Sequence, residues 1–129
     1  MKLKAWDSQT GSQKLVSSPV QADISVAMRE LDWNCGAIVG ITLEDDGQNW
    51  ADGSGSLVEG VGLSLMLEED GVQYVSERAP SSLDEVREFL EVYLRGDIQR
   101  VYELLYGREF GPGELDALRK TSRESQGRS

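Results

Sequence analysis

The residues best equipped for chemistry in this chain are acidic. Glu44, Asp45, Asp46 and Asp52 crowd one stretch, and Glu59, Glu68, Glu69 and Asp70 follow it closely. Carboxylates in such numbers can hold a divalent cation, act as a pair in glycoside hydrolysis, or present a negative surface to a basic partner. The D-x-[DN]-x-[DN]-G spacing of a calcium loop is absent. A hydrolytic carboxylate pair is defined in space, so spacing leaves it open. A chain of 129 residues is nevertheless small for an enclosed substrate cleft. There is no His, which removes the commonest general base and the commonest zinc ligand. The single Cys, Cys35, makes neither an internal disulfide nor a thiolate zinc cluster. Gly53-Ser54-Gly55 lacks the third glycine of a dinucleotide loop, Gly62-Leu63-Ser64-Leu65-Met66 lacks the second glycine of a nucleophile elbow, and no GxxxxGK[ST] occurs. The expectation is a non-catalytic protein without metal or cofactor.

Charge points toward a binding role. The chain carries 13 Lys and Arg against 23 Asp and Glu, a net charge of −10. Residues 21–109 hold 19 of the acids against six arginines, while residues 1–20 and 110–129 are slightly basic. No basic stripe marks a nucleic-acid footprint, so nucleic acid is excluded as a partner. An acidic body has two readings that stay open here. One is solubility through net charge, and the other is a face that steers toward a basic protein. Trp6, Trp33 and Trp50 divide in the same way between packing and interface anchors. Cys35, beside a helix end, reads as packing because nothing cationic stands near it in sequence. Met1–Asp7 is charged with no apolar run after it, and no run approaches the ~20 residues that span a bilayer. With one unpaired Cys, this places the expected location in the cytoplasm, away from the membrane.

The elements that must position these acids follow from periodicity. Leu3–Asp7 alternates as a short strand, Thr10-Gly11-Ser12 turns, and Leu15-Val16 extends a second edge segment. Ser17-Ser18-Pro19 starts a helix whose stripe is Val20, Ile24, Ala27, Met28 and Leu31, ending at Asn34-Cys35-Gly36. Residues 37–44 read as a buried strand and Asp45-Asp46-Gly47 as a hairpin turn. Asn49-Trp50-Ala51 reads as a short strand cut off by loop chemistry in Asp52-Gly53-Ser54-Gly55-Ser56. Val61–Glu68 and Val72–Glu77 form a hairpin about Asp70-Gly71. Pro80 stops the sheet. Ser82 and Glu85 make a capping box for a helix with stripe Leu83, Val86, Phe89, Leu90, Tyr93 and Leu94. A second helix runs from Ile98 to Tyr106, and residues 114–118 allow one further helical turn. The fold class is α+β: an antiparallel sheet of about four to five strands, with an N-terminal-side helix and two C-terminal helices on one face. Residues 1–110 make one domain, and residues 111–129 a polar, flexible tail.

Residues 20–106 resemble the bacterial immunity proteins of polymorphic-toxin systems, in particular immunity family one. The resemblance rests on Asp23–Leu31, Ile41-Thr42-Leu43 with Asp46-Gly47, Gly62-Leu63-Ser64-Leu65, Asp70-Gly71 before Val72 and Tyr74, and Pro80, Leu83 and Val86 heading a helix that ends in Arg95-Gly96-Asp97. A Trp that often closes this family is replaced here by Tyr102 or Tyr106, and residues 50–60 are richer in Gly and Ser. The resemblance implies a small cytoplasmic α+β protein that neutralises a toxin domain without catalysis of its own. An acidic face over the toxin's basic cleft suits that role, and the expected partner-binding residues are Asp45, Asp46, Trp50, Asp52, Glu59, Glu68, Glu69 and Asp70. A type III secretion-type effector chaperone, an acidic dimer, is the rival reading; two extended segments at the N-terminus count against it. A small ligand-binding domain or enzyme using the open sheet face is the third.

Overall fold

A computed structural model describes residues 1–46 and 48–126. Six strands form one sheet in the order β2-β1-β3-β4-β5-β6. They are β1 (Lys2–Asp7), β2 (Gln13–Ser17), β3 (Val39–Glu44), β4 (Trp50–Ser56), β5 (Gly62–Glu69) and β6 (Val72–Val75). Every neighbouring pair is antiparallel. The helices are α1 (Gln21–Glu30), between β2 and β3, and then α2 (Leu83–Leu94), α3 (Ile98–Tyr106) and α4 (Glu114–Gln126). The α+β class is as the sequence implies, with one or two strands more.

The period-2 alternation decides which face is buried. Leu3 and Ala5, then Ile41 and Leu43, Ala51 and Gly53, Leu65 and Leu67, and Tyr74 stand in register across the sheet on one side. All are buried, and α1 and α2 cover them with Ile24, Met28, Val86, Phe89 and Leu90. Each such Leu or Phe stabilises the fold by about 1.5–3 kcal/mol relative to full exposure. The opposite face carries Lys4, Trp6, Thr42, Glu44, Trp50, Asp52, Met66 and Glu68, all half-buried. Trp33 belongs to the core at 3% exposure, and its Nε1–H donates to the Met28 carbonyl at 3.0 Å.

Three expectations need correction. The Gly-Ser run 52–56 is no loop but the body of β4, paired on both sides. Its glycines are there for close approach: a Cβ on Gly53 would stand 2.5 Å from Val86 Cγ1 of α2. Gly55, with φ of +132°, faces the Gly62 carbonyl, where no Cβ fits. The short strand expected at Asn49–Ala51 thus runs on to Ser56. Second, α1 ends at Glu30, before Asn34-Cys35-Gly36, because the chain turns to bury Trp33; Val20 stays exposed as the N-cap, its N–H bound by Asp23 at 2.7 Å. Third, the single turn at 114–118 is a helix to Gln126 with no fully buried residue. Leu115 and Leu118 pack against the core only partly buried, and polar pairing adds to them. The Gln126 side chain donates to the Gln73 carbonyl at 2.9 Å and accepts from the Gln73 N–H at 3.1 Å, so it covers the β6 edge. Gly47 of the expected turn and residues 127–129 of the expected tail lie outside the described residues.

The capping box at α2 is split. Ser82 Oγ accepts from the Glu85 N–H at 3.3 Å, while the Glu85 carboxylate binds the Ser81 N–H and hydroxyl, both at 2.8 Å. A serine cap of this kind is worth about 1 kcal/mol. The Ser81 bonds hold Glu85 below its ordinary carboxylate pKa. Among the described residues no helix is long and apolar enough to cross a membrane.

Candidate functional site

Antiparallel pairing brings the β3–β4 and β5–β6 turns to the same end of the sheet. In the first, Asn49 N–H donates to Asp45 Oδ1 at 3.1 Å and Asp45 N–H to the Asn49 carbonyl at 3.0 Å. The second turns through Asp70 and Gly71, both at positive φ, which suits a tight hairpin. Asn49 Oδ1 accepts from the Asp70 N–H at 2.9 Å, so the two turns are tied together. Beside them Trp50 lies directly opposite Glu68, and its Nε1–H donates to Glu68 Oε2 at 3.0 Å. Gln73 Nε2 donates to the other Glu68 oxygen at 3.2 Å.

Six of the eight expected residues therefore share this end: Asp45, Asp46, Trp50, Glu68, Asp70 and, turned to the helix side, Glu69. Glu68 and Asp70 have no ion pair among the described residues, and exposed Asp46 has its Oδ1 3.7 Å from the Met1 ammonium. Two hollows flank the group. One of about 290 Å³ is lined by Asp45, Asn49, Glu68, Tyr93, Ile98 and Val101, among others. The other, of about 250 Å³, is lined by Glu44, Gln48, Trp50 and Glu68 with Asp45 and Asn49. Glu44 is partly neutralised by Lys4 Nζ at 2.7 Å.

Glu59 and Asp52 sit elsewhere, and Glu69 is already engaged. Glu59 is exposed in the β4–β5 loop, at the opposite end of the sheet. Asp52 lies mid-strand on the open face and accepts from Thr42 Oγ1 at 2.7 Å; Thr42 in turn accepts from Trp6 Nε1–H at 3.1 Å. Burial pushes the Asp52 carboxyl pKa up, against the hydrogen bonds from Thr42, Ser54 and Trp6. Glu69 faces the helix side. Its carboxylate takes Arg119 Nε at 2.8 Å and Nη2 at 2.9 Å, and Tyr102 OH at 2.6 Å. Burial alone would lower Arg119, but these hydrogen bonds outweigh it and hold the guanidinium above its ordinary pKa. Burial and the Glu69 bond together hold the Tyr102 phenol well above its ordinary value. Glu69 is thus engaged in holding α4 to the sheet.

Two participants escaped the sequence reading. Tyr93 was counted in the α2 core stripe, and it lines the larger acidic hollow. The signal was present in principle: a Tyr where a Phe would satisfy the stripe. Arg119 was counted in the tail, and only tertiary pairing reveals it. A hollow of about 340 Å³ between Pro80, α2 and α3 is elsewhere and mixes Arg78, Arg100 and Arg108 with Glu85, Glu88 and Glu103. Arg100 is spent on Glu88 at 3.3 Å and Arg108 on Glu114 at 2.7 Å. Cys35 is half-buried and its thiol donates to the Ala37 carbonyl at 3.7 Å. Among the described residues no group of three or more His, Cys, Asp or Glu is placed to hold a metal ion. Comparison with protein-family models, curated proteins and solved structures returns no match for this chain.

Proposed function

We propose that this chain is a non-catalytic binding protein that occludes a basic cleft on a partner with the acidic end of its sheet. The partner class that fits best is a toxin domain, such as a nuclease, whose cleft is built for a polyanion; the chain would then act as a cytoplasmic immunity protein. The observation that carries this reading is the union of Asp45, Asp46, Glu68 and Asp70 with half-buried Trp50. Separate segments supply them, and the Asn49–Asp70 bond and the Trp50–Glu68 bond fix them relative to one another. Such an arrangement speeds association with a cationic surface and selects against acidic ones. Trp50 supplies the desolvated aromatic contact that interfaces favour. The resemblance of residues 20–106 to immunity family one points the same way.

The test pairs capture with function. Tagged wild-type chain and an Asp45→Lys/Asp46→Lys/Asp70→Lys variant are used to purify partners from the source cells. A basic toxin domain retained by the wild type and lost by the variant is the expected result, and co-expression of the wild type relieves the growth arrest that domain causes. Equal retention by both forms, or arrest that persists, overturns the reading. An obligate dimer that retains a secreted effector instead supports the chaperone alternative.

A further inference from the structure

We infer that β2 is the seam of a reversible homodimer: two copies of this chain pair edge to edge through Gln13–Ser17, antiparallel about Leu15, and join their sheets into one. The inference stands apart from the proposed function, because β2 is the sheet edge remote from β5 and β6.

The first observation is free main chain. Ser18 N–H donates to the Met1 carbonyl at 3.0 Å, and Asp7 N–H donates to the Ser12 carbonyl at 3.1 Å. These bonds flank the β1–β2 register and fix its parity. Lys14 and Val16 therefore bond β1, while Gln13, Leu15 and Ser17 turn their N–H and carbonyl groups away from it. No other strand pairs with β2. The opposite edge is treated differently, since Gln126 of α4 takes both main-chain groups of Gln73 in β6.

The second observation is the lack of protection. Edge strands usually carry a proline, a bulge or a charge that discourages pairing. β2 has no proline, and its register with β1 runs unbroken from Gln13 to Ser17. The residues with outward main chain are uncharged. Lys14, the strand's one charged residue, points to the helix side and is held by Glu30 of α1 at 2.9 Å. Leu15 stands on the open face at 61% exposure.

A second copy fits this edge because the outward set is symmetric about Leu15. A dyad there sets Leu15 against Leu15 of the second copy, and Gln13 and Ser17 each against the other's counterpart. Each of these narrow pairs exchanges two hydrogen bonds, so every outward group finds a partner. No like charges stand directly opposite, as Lys14 falls across from Val16 of the second copy. On the helix side the dyad brings the two α1 helices together. Val26, an exposed aliphatic, lies one turn before Glu30 on the ridge that reaches Lys14. Charge selects the same edge. Two chains of net charge −10 repel where their acidic bodies meet, whereas residues 1–20 hold Lys2, Lys4 and Lys14 against Asp7 alone. The core closes within one chain, so the monomer folds by itself. A five-residue seam with one helix ridge is a small interface, which sets a dissociation constant on the order of 10–100 µM.

Sedimentation velocity of the full chain over about 5–500 µM reads this equilibrium. Wild type is expected to pass from monomer to dimer across that range. Leu15→Lys and Leu15→Glu each set like charges face to face and weaken the dimer at least about tenfold, while an equimolar mixture of the two restores it to within about threefold of wild type. Position 15 is exposed, so both variants keep the fold, which their amide spectra verify. Amide hydrogen exchange reads the register: at high concentration Gln13, Leu15 and Ser17 slow at least about fivefold, while Lys14 and Val16, already bonded to β1, do not change. Added salt tightens the dimer by screening the acidic bodies, opposite in sign to its effect on capture of a basic partner. A wild type that stays monomeric throughout, a dimer untouched by either Leu15 variant, or a mixture that stays monomeric overturns the inference. So does an extended segment of another protein bound along β2 by a chain that does not itself dimerise.

Discussion

Tyr102 and Tyr93 offer a matched pair of perturbations. Both rings are buried, at 0% and 8% exposure, and both sit on helices against the same sheet. Removing the hydroxyl leaves either ring's packing in place, including the edge-to-face contact of Tyr102 with Tyr74 at 5.0 Å. The hydroxyls differ. Tyr102 donates to Glu69 at 2.6 Å, a bond to a charged acceptor, whereas Tyr93 donates to nothing among the described residues. A hydrogen bond to an ionised group contributes about 1.5–3 kcal/mol. Arg119 still binds the same Glu69 oxygen, which keeps that carboxylate satisfied and places the cost of Tyr102→Phe near ~2 kcal/mol. At this chain length 1 kcal/mol moves the melting temperature by roughly 3–5 °C. Tyr102→Phe is expected to melt some 6–10 °C below wild type, and Tyr93→Phe within about 2 °C of it. Thermal melts measure both shifts, and urea unfolding followed by Trp fluorescence gives the free energies, with m-values checked for equality. Equal losses in the two variants would refute the reasoning. It would mean either that Tyr93 is bonded in the fold or that the Glu69 cluster contributes nothing.

Further consequences follow from the same structure. Gly55→Ala places a Cβ against the Gly62 carbonyl at a φ of +132°, and chemical denaturation is expected to show a loss of about 2–4 kcal/mol. The Asp52 carboxyl has a raised pKa in the fold, so its contribution to stability is full below the unfolded-state value and is lost as pH rises through the folded one. Asp52→Asn should therefore melt above wild type at pH 7, with the gap closing below about pH 4; a lower melting point at pH 7 would contradict this. Tyr93 and Tyr102 are both raised, so the unfolded chain releases protons from about pH 10 while the fold retains them, and stability falls as pH climbs from there. The fall should be shallower in each Phe variant in an alkaline melting series. Gln126→Ala uncovers the β6 edge, and the Gln73 amide should then exchange with solvent faster, by roughly fivefold if about 1 kcal/mol of local bonding is lost.

What the sequence made legible was local. Alternation in Leu3–Asp7 and Val61–Glu68, the Asp70-Gly71 turn and the α2 stripe all carry their own signal, and each appears within a residue or two of its place. Residues 52–56 misled because the glycines there answer to helix α2 packed over them. That constraint is set by Val86, some thirty positions away, and invisible to a window. Helix α4 escaped for a related reason: its Leu115 and Leu118 are only partly buried against the core, and Arg119 to Glu69 and Gln126 to Gln73 complete its hold. The acids of the candidate site were legible as a composition. Their division was not, since it depends on strand pairing. Pairing sends Glu59 to the far end, turns Glu69 under the sheet, and ties Asp52 to Thr42 and Trp6.

The most direct measurement of the central claim is the association rate of the captured basic partner with this chain across ionic strength, for wild type and for Asp45→Lys/Asp46→Lys/Asp70→Lys. Steering by the acidic end predicts a wild-type rate that falls steeply with salt, and a variant slower by at least about tenfold at low salt with a flattened dependence. Rates that match between the two proteins at every salt concentration would contradict the account, whatever partner had been found.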